Sequence, residues 1–514
     1  MDLNDLPRLR QFLGRVPGRQ SYNLTRFLIL RLLGLVYLAA FASLVGQVLP
    51  LIGENGLLPA DRHLQRLEQS AGSTLAAFIE TPTLFFIDAG DSTLVFFAWL
   101  GVVLSLVLLA GFANAISMAL LWALYMSFVH IGQLWYGYGW EIELLECGFL
   151  AIFLCPLLDG RPFSPRPTPL TLILLYRWLA FRIMLGAGLI KIRGDACWCE
   201  LSCLEFHYET QPIPNPLSPL LHFMPAWFHA LGVLYNHLAE LILPWFVFGP
   251  RRARHCAGIL LVAFQLMLIL SGNLSFLNWL TLVPMLACFD DRSLRSYLPQ
   301  TLVRTAERAA SSGMDFSRSR KITLGLLAAL VAILSINPAA NLLSGQQVMN
   351  QAFDNLALVN TYGAFGSVGK IRHEIIFEGT REQNINEQTQ WKSYEFPCKP
   401  GDPLRMPCIS GPYQRRLDWQ IWFAAMSTPQ QAPWTIHFVW KLLHNDPGTL
   451  GLLANNPFPD APPHAIRATL YRYEFAPFDD PENAWWKRQE VGPWLPPLGR
   501  DDPRLGAFLD AFGW

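Results

Sequence analysis

Long apolar segments recur through the first two thirds of the chain. A transmembrane helix needs about 20 predominantly apolar residues, and segments near that length occur at 27–49, 93–113, 115–135, 143–158, 171–191, 226–248, 256–271, 274–290 and 321–337. A soluble protein can bury one such helix, but this many in one chain are typical of a polytopic α-helical membrane protein. The pattern therefore predicts a membrane domain over residues 1–344 with about nine spans.

The pattern changes to short alternations of apolar and polar residues in the last third of the chain. Segments 371–377 and 468–475 alternate with the period of two that is typical of half-buried strands. The segments at about 416–426 and 433–454 have the spacing of amphipathic helices. We therefore predict that residues 345–514 form a soluble, strand-rich α+β domain.

The composition supports this division. Of the 514 residues, 52% are hydrophobic and only 15% are charged, whereas a soluble chain carries about 25% charge. Residues 1–344 hold 24 basic and 21 acidic side chains, and residues 345–514 hold 15 and 18. The net charge of zero leaves no basic excess to neutralise phosphates, so a nucleic acid is not an expected partner.

The basic residues beside the apolar segments predict how the chain is oriented. Lys and Arg near helix ends gather on the inner side of a membrane. With the N-terminus inside, the inner segments contain 17 Lys and Arg, whereas the outer loops contain only Arg62, Arg66, Lys191 and Arg193. An inner N-terminus and an odd number of spans place the domain 345–514 on the outer side.

The first apolar segment follows a basic stretch that contains Arg8, Arg10, Arg15, Arg19 and Arg26. A cleaved signal peptide and an uncleaved signal anchor both begin in this way. The length of the basic stretch, together with an arginine inside the apolar segment, favours an uncleaved anchor.

Five of the nine cysteines lie in segments that this orientation places outside: Cys197, Cys199, Cys203, Cys398 and Cys408. Such thiols meet an oxidising lumen or periplasm, where disulfides persist. We predict one disulfide between Cys398 and Cys408 and another between Cys197 and Cys203, which leaves Cys199 as the odd thiol. No second Cys or His pair at zinc-like spacing accompanies them, so we predict no metal site.

Several ionisable side chains fall inside the predicted spans, where an unpaired charge is costly. We predict that Arg182 on the fifth span and Glu240 on the sixth form a buried ion pair. Nearer the outer surface, acid, base and amide side chains come from several spans: His130, Gln133, Glu141, Glu143, Glu146, Lys191, Asn273 and Asn278. These residues, which we call the outer polar set, either form part of a site or only stabilise contacts between helices.

The outer loop 192–225 contains four prolines between residues 212 and 219. Proline is incompatible with a helix interior and favours an extended course for the residue before it. We expect this loop to display five side chains above the bilayer: His207, Tyr208, Glu209, Gln211 and Asn215. Such a loop either binds a client protein or covers a site.

Three long segments have a recognisable sequence: WYGYGWEIELLECGFLAIFLCPLL at 135–158, FRIMLGAGLIKIRGDACWCELSCLEFHYETQPIPNP at 181–216, and SGNLSFLNWLTLVPMLACFD at 271–290. They resemble the lipase maturation factor family, and the resemblance continues through VNTYG at 359–363 and NNPF at 455–458. The resemblance implies a multi-spanning protein that helps dimeric lipases such as lipoprotein lipase to reach an active, secretable fold. Cys199 departs from the family pattern, in which a basic residue is usual.

The resemblance also implies a location. Eukaryotic members reside in the endoplasmic reticulum membrane, and the equivalent in a bacterium is an inner-membrane protein whose C-terminal domain lies in the periplasm. The short segment 187–191, with Trp198 following, is similar to vitamin K-dependent γ-carboxylases and related horizontally transferred transmembrane proteins, in which the lysine serves as a base. This similarity implies Lys191 as a candidate general base, with Glu146 and His130 as further catalytic candidates.

Motifs that would indicate an enzyme are missing from the sequence, including G-x-S-x-G, C-x-x-C and H-E-x-x-H. No cofactor is predicted. The leading hypothesis is a non-catalytic maturation factor in which the domain 345–514 and the loop 192–225 engage secreted, lipase-like clients beside membrane lipids. The alternative is an integral-membrane enzyme that uses Lys191 as a base on a lipid or quinone-like substrate in an outer-leaflet pocket.

Overall fold

A computed structural model describes residues 21–311, 316–512 and 514. The predicted basic residues Arg8, Arg10, Arg15 and Arg19 lie outside the described residues. Residues 23–154 form the helices α1 (Asn23–Val45), α2 (Val48–Ile52), α3 (Ala60–Ala71), α4 (Thr74–Glu80), α5 (Asp91–Ala110), α6 (Ala115–Ile131) and α7 (Gly139–Leu154). Helix α1 packs along α5, and α6 packs along α7.

The second part of the membrane region combines long and short helices. These are α8 (Leu170–Gly194), α9 (Ala196–Cys199), α10 (Leu204–Thr210), α11 (Ser218–His222), α12 (Ala226–His237), α13 (Leu243–Phe246), α14 (Arg251–Ser271), α15 (Leu277–Met285), α16 (Asp291–Leu294), α17 (Gln300–Ser311), α18 (Arg318–Leu334) and α19 (Ile336–Leu343). A π-helical turn, Leu238–Ile242, joins α12 to α13.

Each of the nine predicted apolar segments falls on helix. Among the described residues, five helical stretches are long and apolar enough to cross a membrane, namely α1, α5, α8, α14 and the continuous stretch Arg318–Leu343. The other predicted segments form α6, α7, α12 with α13, and α15 with the turn that follows it. The structure therefore confirms a helical membrane protein.

Polar contacts hold one end of the helical bundle together. The backbone N–H groups of Asn23 and Leu24 donate to the Asp291 carboxylate at 2.9 and 2.8 Å, and a carboxylate is favourable at the N-terminus of a helix. Arg251 forms an ion pair with Asp290 at 2.6 Å. These contacts join the starts of α1 and α14 to the segment that contains α16.

The last third of the chain contains strands and helices. Strands β1 (Gln351–Ala352) and β2 (Asn360–Thr361) form a small ribbon, whereas β3 (Arg372–Thr380), β4 (Lys392–Ser393), β5 (Ala465–Phe475) and β6 (Trp486–Gly499) form an antiparallel sheet in the order β4-β3-β5-β6. The helices are α20 (Arg416–Ala425), α21 (Trp434–Leu443), α22 (Pro447–Leu450) and α23 (Pro503–Phe512). We call residues 345–512 and 514 the C-terminal domain.

The core of this domain lies between its sheet and α21. Phe377 of β3 packs edge-on against Phe438 of α21, with ring centroids 5.1 Å apart, and Trp494 of β6 lies 6.3 Å from Phe377. The single helix predicted at 433–454 is interrupted, because Pro447 begins the separate helix α22. Strand β6 contains prolines and lies at the edge of the sheet, where a missing N–H breaks no ladder.

Candidate functional site

The ion pair between Glu141 and Arg416 joins the membrane helices to the C-terminal domain. Both side chains are wholly buried, and the Arg416 Nη1 atom lies 2.8 Å from Glu141 Oε1. The guanidinium also donates to the Trp135 carbonyl at 2.5 Å and lies 3.5 Å above the centre of the Tyr136 ring. Helix α20 is therefore held directly against α7 and the turn before it.

A second buried pair connects Glu146 of α7 with Arg182 of α8. The Asn360 backbone N–H and the Tyr362 hydroxyl donate to Glu146 at 3.0 and 2.8 Å, and Arg182 donates to the Asn360 carbonyl at 2.5 Å. The pair thus also binds strand β2 and the residues that follow it.

The third pair joins Lys191 of α8 to Glu240 of the π-helical turn, with Nζ 2.6 Å from Oε1. Asn236 accepts a hydrogen bond from Lys191 at 2.9 Å and donates one to Glu240 at 3.0 Å. The ammonium also lies 4.9 Å from the centre of the Trp198 ring. Lys191 is 5% exposed, so its charge is held inside a complete network.

The predicted Arg182–Glu240 pair is therefore wrong. Arg182 pairs with Glu146, and Glu240 pairs with Lys191. The physical reason is that the two basic residues lie at different positions along the axis of α8. Arg182 and Lys191 are nine residues apart on α8, which corresponds to about 13 Å along its axis, and Glu240 lies at the level of the lysine.

The three predicted catalytic residues do not come together. Lys191 and Glu146 belong to the separate ion pairs described above, and the Nδ1 atom of His130 lies 2.7 Å from the Pro82 carbonyl. Among the described residues, no hydrogen bond or ion pair joins any two of the three. Their arrangement supports structural roles.

The prolines between residues 212 and 219 predicted an extended course without helix, and this is wrong at Ser218 and Pro219, whereas residues 212–217 lie outside any helix. Residues 204–210 form α10 and residues 218–222 form α11, where Pro219 occupies the first turn that proline tolerates. The five side chains expected on display are all buried, with at most 8% of each residue exposed: His207, Tyr208, Glu209, Gln211 and Asn215. This loop is therefore part of the packed structure.

Polar contacts explain why the loop can be buried. The guanidinium of Arg372, at the start of β3, donates to the carbonyls of Glu209, Gln211 and Pro212 at 2.7, 2.5 and 3.1 Å. Asn215 accepts hydrogen bonds from the backbone N–H groups of Leu217 and Ser218. These bonds satisfy backbone groups that would otherwise need water.

The structure contains both predicted disulfides, Cys197–Cys203 and Cys398–Cys408, and Cys199 is a free, exposed thiol. The Cys398 N–H donates to Asp418 of α20 at 2.8 Å. The second disulfide therefore stabilises the segment that leads into the helix carrying Arg416.

A cavity of about 460 Å³ lies between the membrane helices and the C-terminal domain. Its lining includes the side chains of Glu143, Gln265, Asn278 and Thr281 from α7, α14 and α15, together with several aromatic rings. Of the residues given a role from the sequence, His207, Gln211 and Glu240 belong to this lining. Glu143 and Asn278 were expected only as members of the outer polar set.

His437 of α21 makes a contact that we expect to depend on pH. Its Nδ1 atom lies 2.8 Å from the Leu57 carbonyl, its ring stacks on Trp514 with centroids 5.2 Å apart, and burial lowers its pKa to about 4. A histidine in the unfolded chain has a pKa near 6.5. Between these two values the unfolded state binds more protons, so stability falls as the pH falls.

We therefore expect the thermal midpoint of the detergent-solubilised protein to fall between pH 7 and pH 5. The contribution of His437 at pH 5 is about 2 kcal/mol. The variant His437→Gln should lose less stability over the same interval, because its side chain does not titrate. Equal falls in the two proteins would show that this histidine does not cause the effect.

The observations define a class of protein: a helical integral membrane protein whose C-terminal α+β domain is fastened to the helices by buried ion pairs. The family model described as lipase maturation factor transmembrane domain matches residues 24–296, and the one described as lipase maturation factor C-terminal domain matches residues 358–496. The chain therefore belongs to the lipase maturation factor family.

Individual relatives agree with this assignment. Lipase maturation factor 1 of Bos taurus is 47% identical over 508 residues, which cover 94% of this chain and 90% of the relative. Lipase maturation factor 1 of Homo sapiens is 46% identical over 520 residues, which cover 96% and 91%. Lipase maturation factor 2 of Mus musculus is 30% identical over 595 residues, which cover 93% and 83%. No solved structure matches the chain.

Proposed function

We propose that the protein is a membrane-embedded maturation factor that helps secreted lipases to reach their active fold. The observation that carries the proposal is the similarity to proteins named lipase maturation factor 1, which extends over both the membrane helices and the C-terminal domain. The ion pairs Glu141–Arg416 and Glu146–Arg182 support it, because they hold that domain at one end of the helices. The clients are lipase-like proteins that have already crossed the membrane.

In the proposed topology the chain crosses the membrane nine times within residues 1–344, with α1 as an uncleaved anchor and the N-terminus inside. Every loop that this topology places outside between α1 and α15 contacts the C-terminal domain, through residues such as Gln47, Leu134, Gln211 and Asn273. The segments placed inside contact one another, as in the Arg251–Asp290 pair. This separation of the contacts supports a topology in which the outer loops and the C-terminal domain lie on the same side of the membrane.

The outer face corresponds to the lumen of the endoplasmic reticulum if the source is eukaryotic, and to the periplasm if it is bacterial. In Escherichia coli, alkaline phosphatase fused after residue 350 is expected to be active, because the enzyme needs an oxidising compartment. The matched fusion after residue 255, in the segment placed inside, should be inactive. The reverse pattern of activities would overturn the orientation.

The maturation role can be tested with a dimeric secreted lipase in cells that lack their own lipase maturation factor. Expression of this protein is expected to raise the activity per milligram of secreted lipase severalfold, because more of the secreted enzyme is folded. An unrelated secreted enzyme serves as the control for general effects on secretion. An unchanged specific activity of the lipase, with this protein present at a normal level, would contradict the proposal.

The client contact is proposed to include three apolar side chains near the Cys398–Cys408 disulfide. Leu404, Met406 and Ile409 are 57%, 52% and 81% exposed, and exposed apolar surface is typical of interaction sites. Replacing all three with serine is expected to reduce lipase maturation without lowering the protein level. Val491→Ser, at a 56% exposed position of β6, is the matched control and should retain full activity.

The enzymatic alternative receives less support. A general base needs access to its substrate, whereas the Lys191 ammonium is enclosed by Glu240, Asn236 and Trp198. We therefore propose that Lys191 is structural.

A further inference from the structure

The cavity at the junction of the membrane helices and the C-terminal domain has the dimensions of a ligand site. Its volume of about 460 Å³ lies within the range of roughly 300–1,000 Å³ that is typical of sites for small organic molecules. A ligand site here is separate from the proposed role in lipase maturation.

Most of the cavity wall is apolar. Aromatic and thioether side chains from both parts of the molecule contribute to the lining, including Trp140, Met184, Phe264, Trp419 and Trp422. Such surfaces gain little from contact with water, and polar partners are needed to hold ordered water in a cavity. A wall of this kind is suited to the apolar body of a ligand.

Four buried carboxyl groups lie on α7 and on the π-helical turn among the described residues, and Glu143 is the one without a basic partner. The other three pair with a basic side chain: Glu141 with Arg416, Glu146 with Arg182 and Glu240 with Lys191. Glu143 is only 1% exposed, and among the described residues it has no ion-pair partner. Among the described residues its one hydrogen-bond partner is the Thr281 hydroxyl, at 3.1 and 3.4 Å, and that hydroxyl also lies 2.9 Å from the Leu277 carbonyl.

An uncompensated carboxyl group at this depth is costly. Ionisable groups in membrane helices usually pair or mark a functional site. Because Glu143 lines the cavity, a bound ligand can supply a donor in addition to the Thr281 hydroxyl, which is shared with the Leu277 carbonyl.

Two amides add to the polar part of the cavity. Asn278 donates from Nδ2 to Gln265 Oε1 at 2.7 Å, and both residues line the cavity. Asn278 and Thr281 are three residues apart on α15, so their side chains lie on the same face of that helix. The polar part of the cavity beside Glu143 thus combines carboxyl, amide and hydroxyl groups, and elsewhere the lining also includes Glu240, His207 and Arg372.

We propose that this cavity binds an amphiphile from the membrane, with its apolar body against the aromatic wall and its head group held by Glu143. The head group is a hydrogen-bond donor, either an alcohol or an amine. A fatty-acid head is disfavoured, because it would bring a second carboxyl group against Glu143 in a poorly hydrated space.

Photo-crosslinking of the full-length protein in lipid nanodiscs tests the proposal. Three probes of equal chain length carry a diazirine and an alkyne, and they differ in their head group: a monoacylglycerol, a primary amine and a fatty acid. The monoacylglycerol or the amine is expected to label cavity peptides that contain Met184 or Trp419. Comparison of these two probes identifies the head group, and labelling by the fatty acid should be several times weaker.

Two variants provide the decisive comparison. Glu143→Leu is expected to reduce labelling of the cavity about tenfold, because it removes the hydrogen bond that holds the head group of the ligand. Met184→Trp should reduce labelling by filling space. Equal labelling of wild type and both variants, or labelling only outside the cavity, would overturn the proposal.

The stability of the variants separates binding from a structural role. Glu143→Leu is expected to keep or raise the thermal midpoint, because it removes an uncompensated carboxyl group. The matched variant Glu146→Leu should lower the midpoint, because Arg182 loses its partner. If the two variants were equally unstable, Glu143 would be structural and the proposal would fail.

Discussion

Replacing Arg416 by methionine is expected to destabilise the protein by about 3–5 kcal/mol, because it leaves the Glu141 carboxylate buried without a cationic partner. The guanidinium lies 2.8 Å from that carboxylate and also donates to the Trp135 carbonyl. Both bonds join the C-terminal domain to the membrane helices, so their loss should weaken the attachment of the domain. The fraction of monodisperse protein after detergent extraction and its thermal midpoint measure the effect.

Two further variants make this result interpretable. Arg504→Met removes an exposed cation that pairs with Asp502, and it should leave the amount of folded protein unchanged. The double variant Arg416→Met with Glu141→Leu should recover part of the lost stability, because no unpaired charge remains. If Arg416→Met behaved like Arg504→Met, the ion pair would not be what fastens the domain.

The class of the fold was predictable because its signals are local. An apolar segment of about 20 residues requires no knowledge of its neighbours to indicate a membrane helix. Likewise, the alternations at 371–377 and 468–475 fall on β3 and β5, which pair with each other. The two disulfides were also predictable, since each joins cysteines only 6 and 10 residues apart in the chain.

The pairing of the buried charges was not predictable in the same way. The partner of Glu141 is 275 residues away in the chain, and the carbonyls of the loop 192–225 are satisfied by Arg372, about 160 residues away. Prolines in that loop indicate its local course but not what covers it. Glu143 was expected in the outer polar set but could not be singled out from it, since its lack of a basic partner becomes visible only when the other pairs are known.

Replacing Lys191 by methionine is expected to destabilise the protein by about 3–5 kcal/mol, because Glu240 would remain buried without a cation. The lysine is 5% exposed and its ammonium lies 2.6 Å from that carboxylate. Loss of lipase maturation in this variant would not by itself distinguish a catalytic base from a structural ion pair. The amount of folded protein must therefore be measured beside the specific activity of the secreted lipase.

The double variant Lys191→Met with Glu240→Leu separates the two roles. Removing both charges should restore folded protein, and lipase maturation per folded molecule should then match the wild type, because a structural pair can be replaced by apolar packing. A general base cannot be replaced in this way, so a folded but inactive double variant would favour the enzymatic hypothesis. Arg193→Met, which removes an exposed cation two residues along α8, is the control and should change neither quantity.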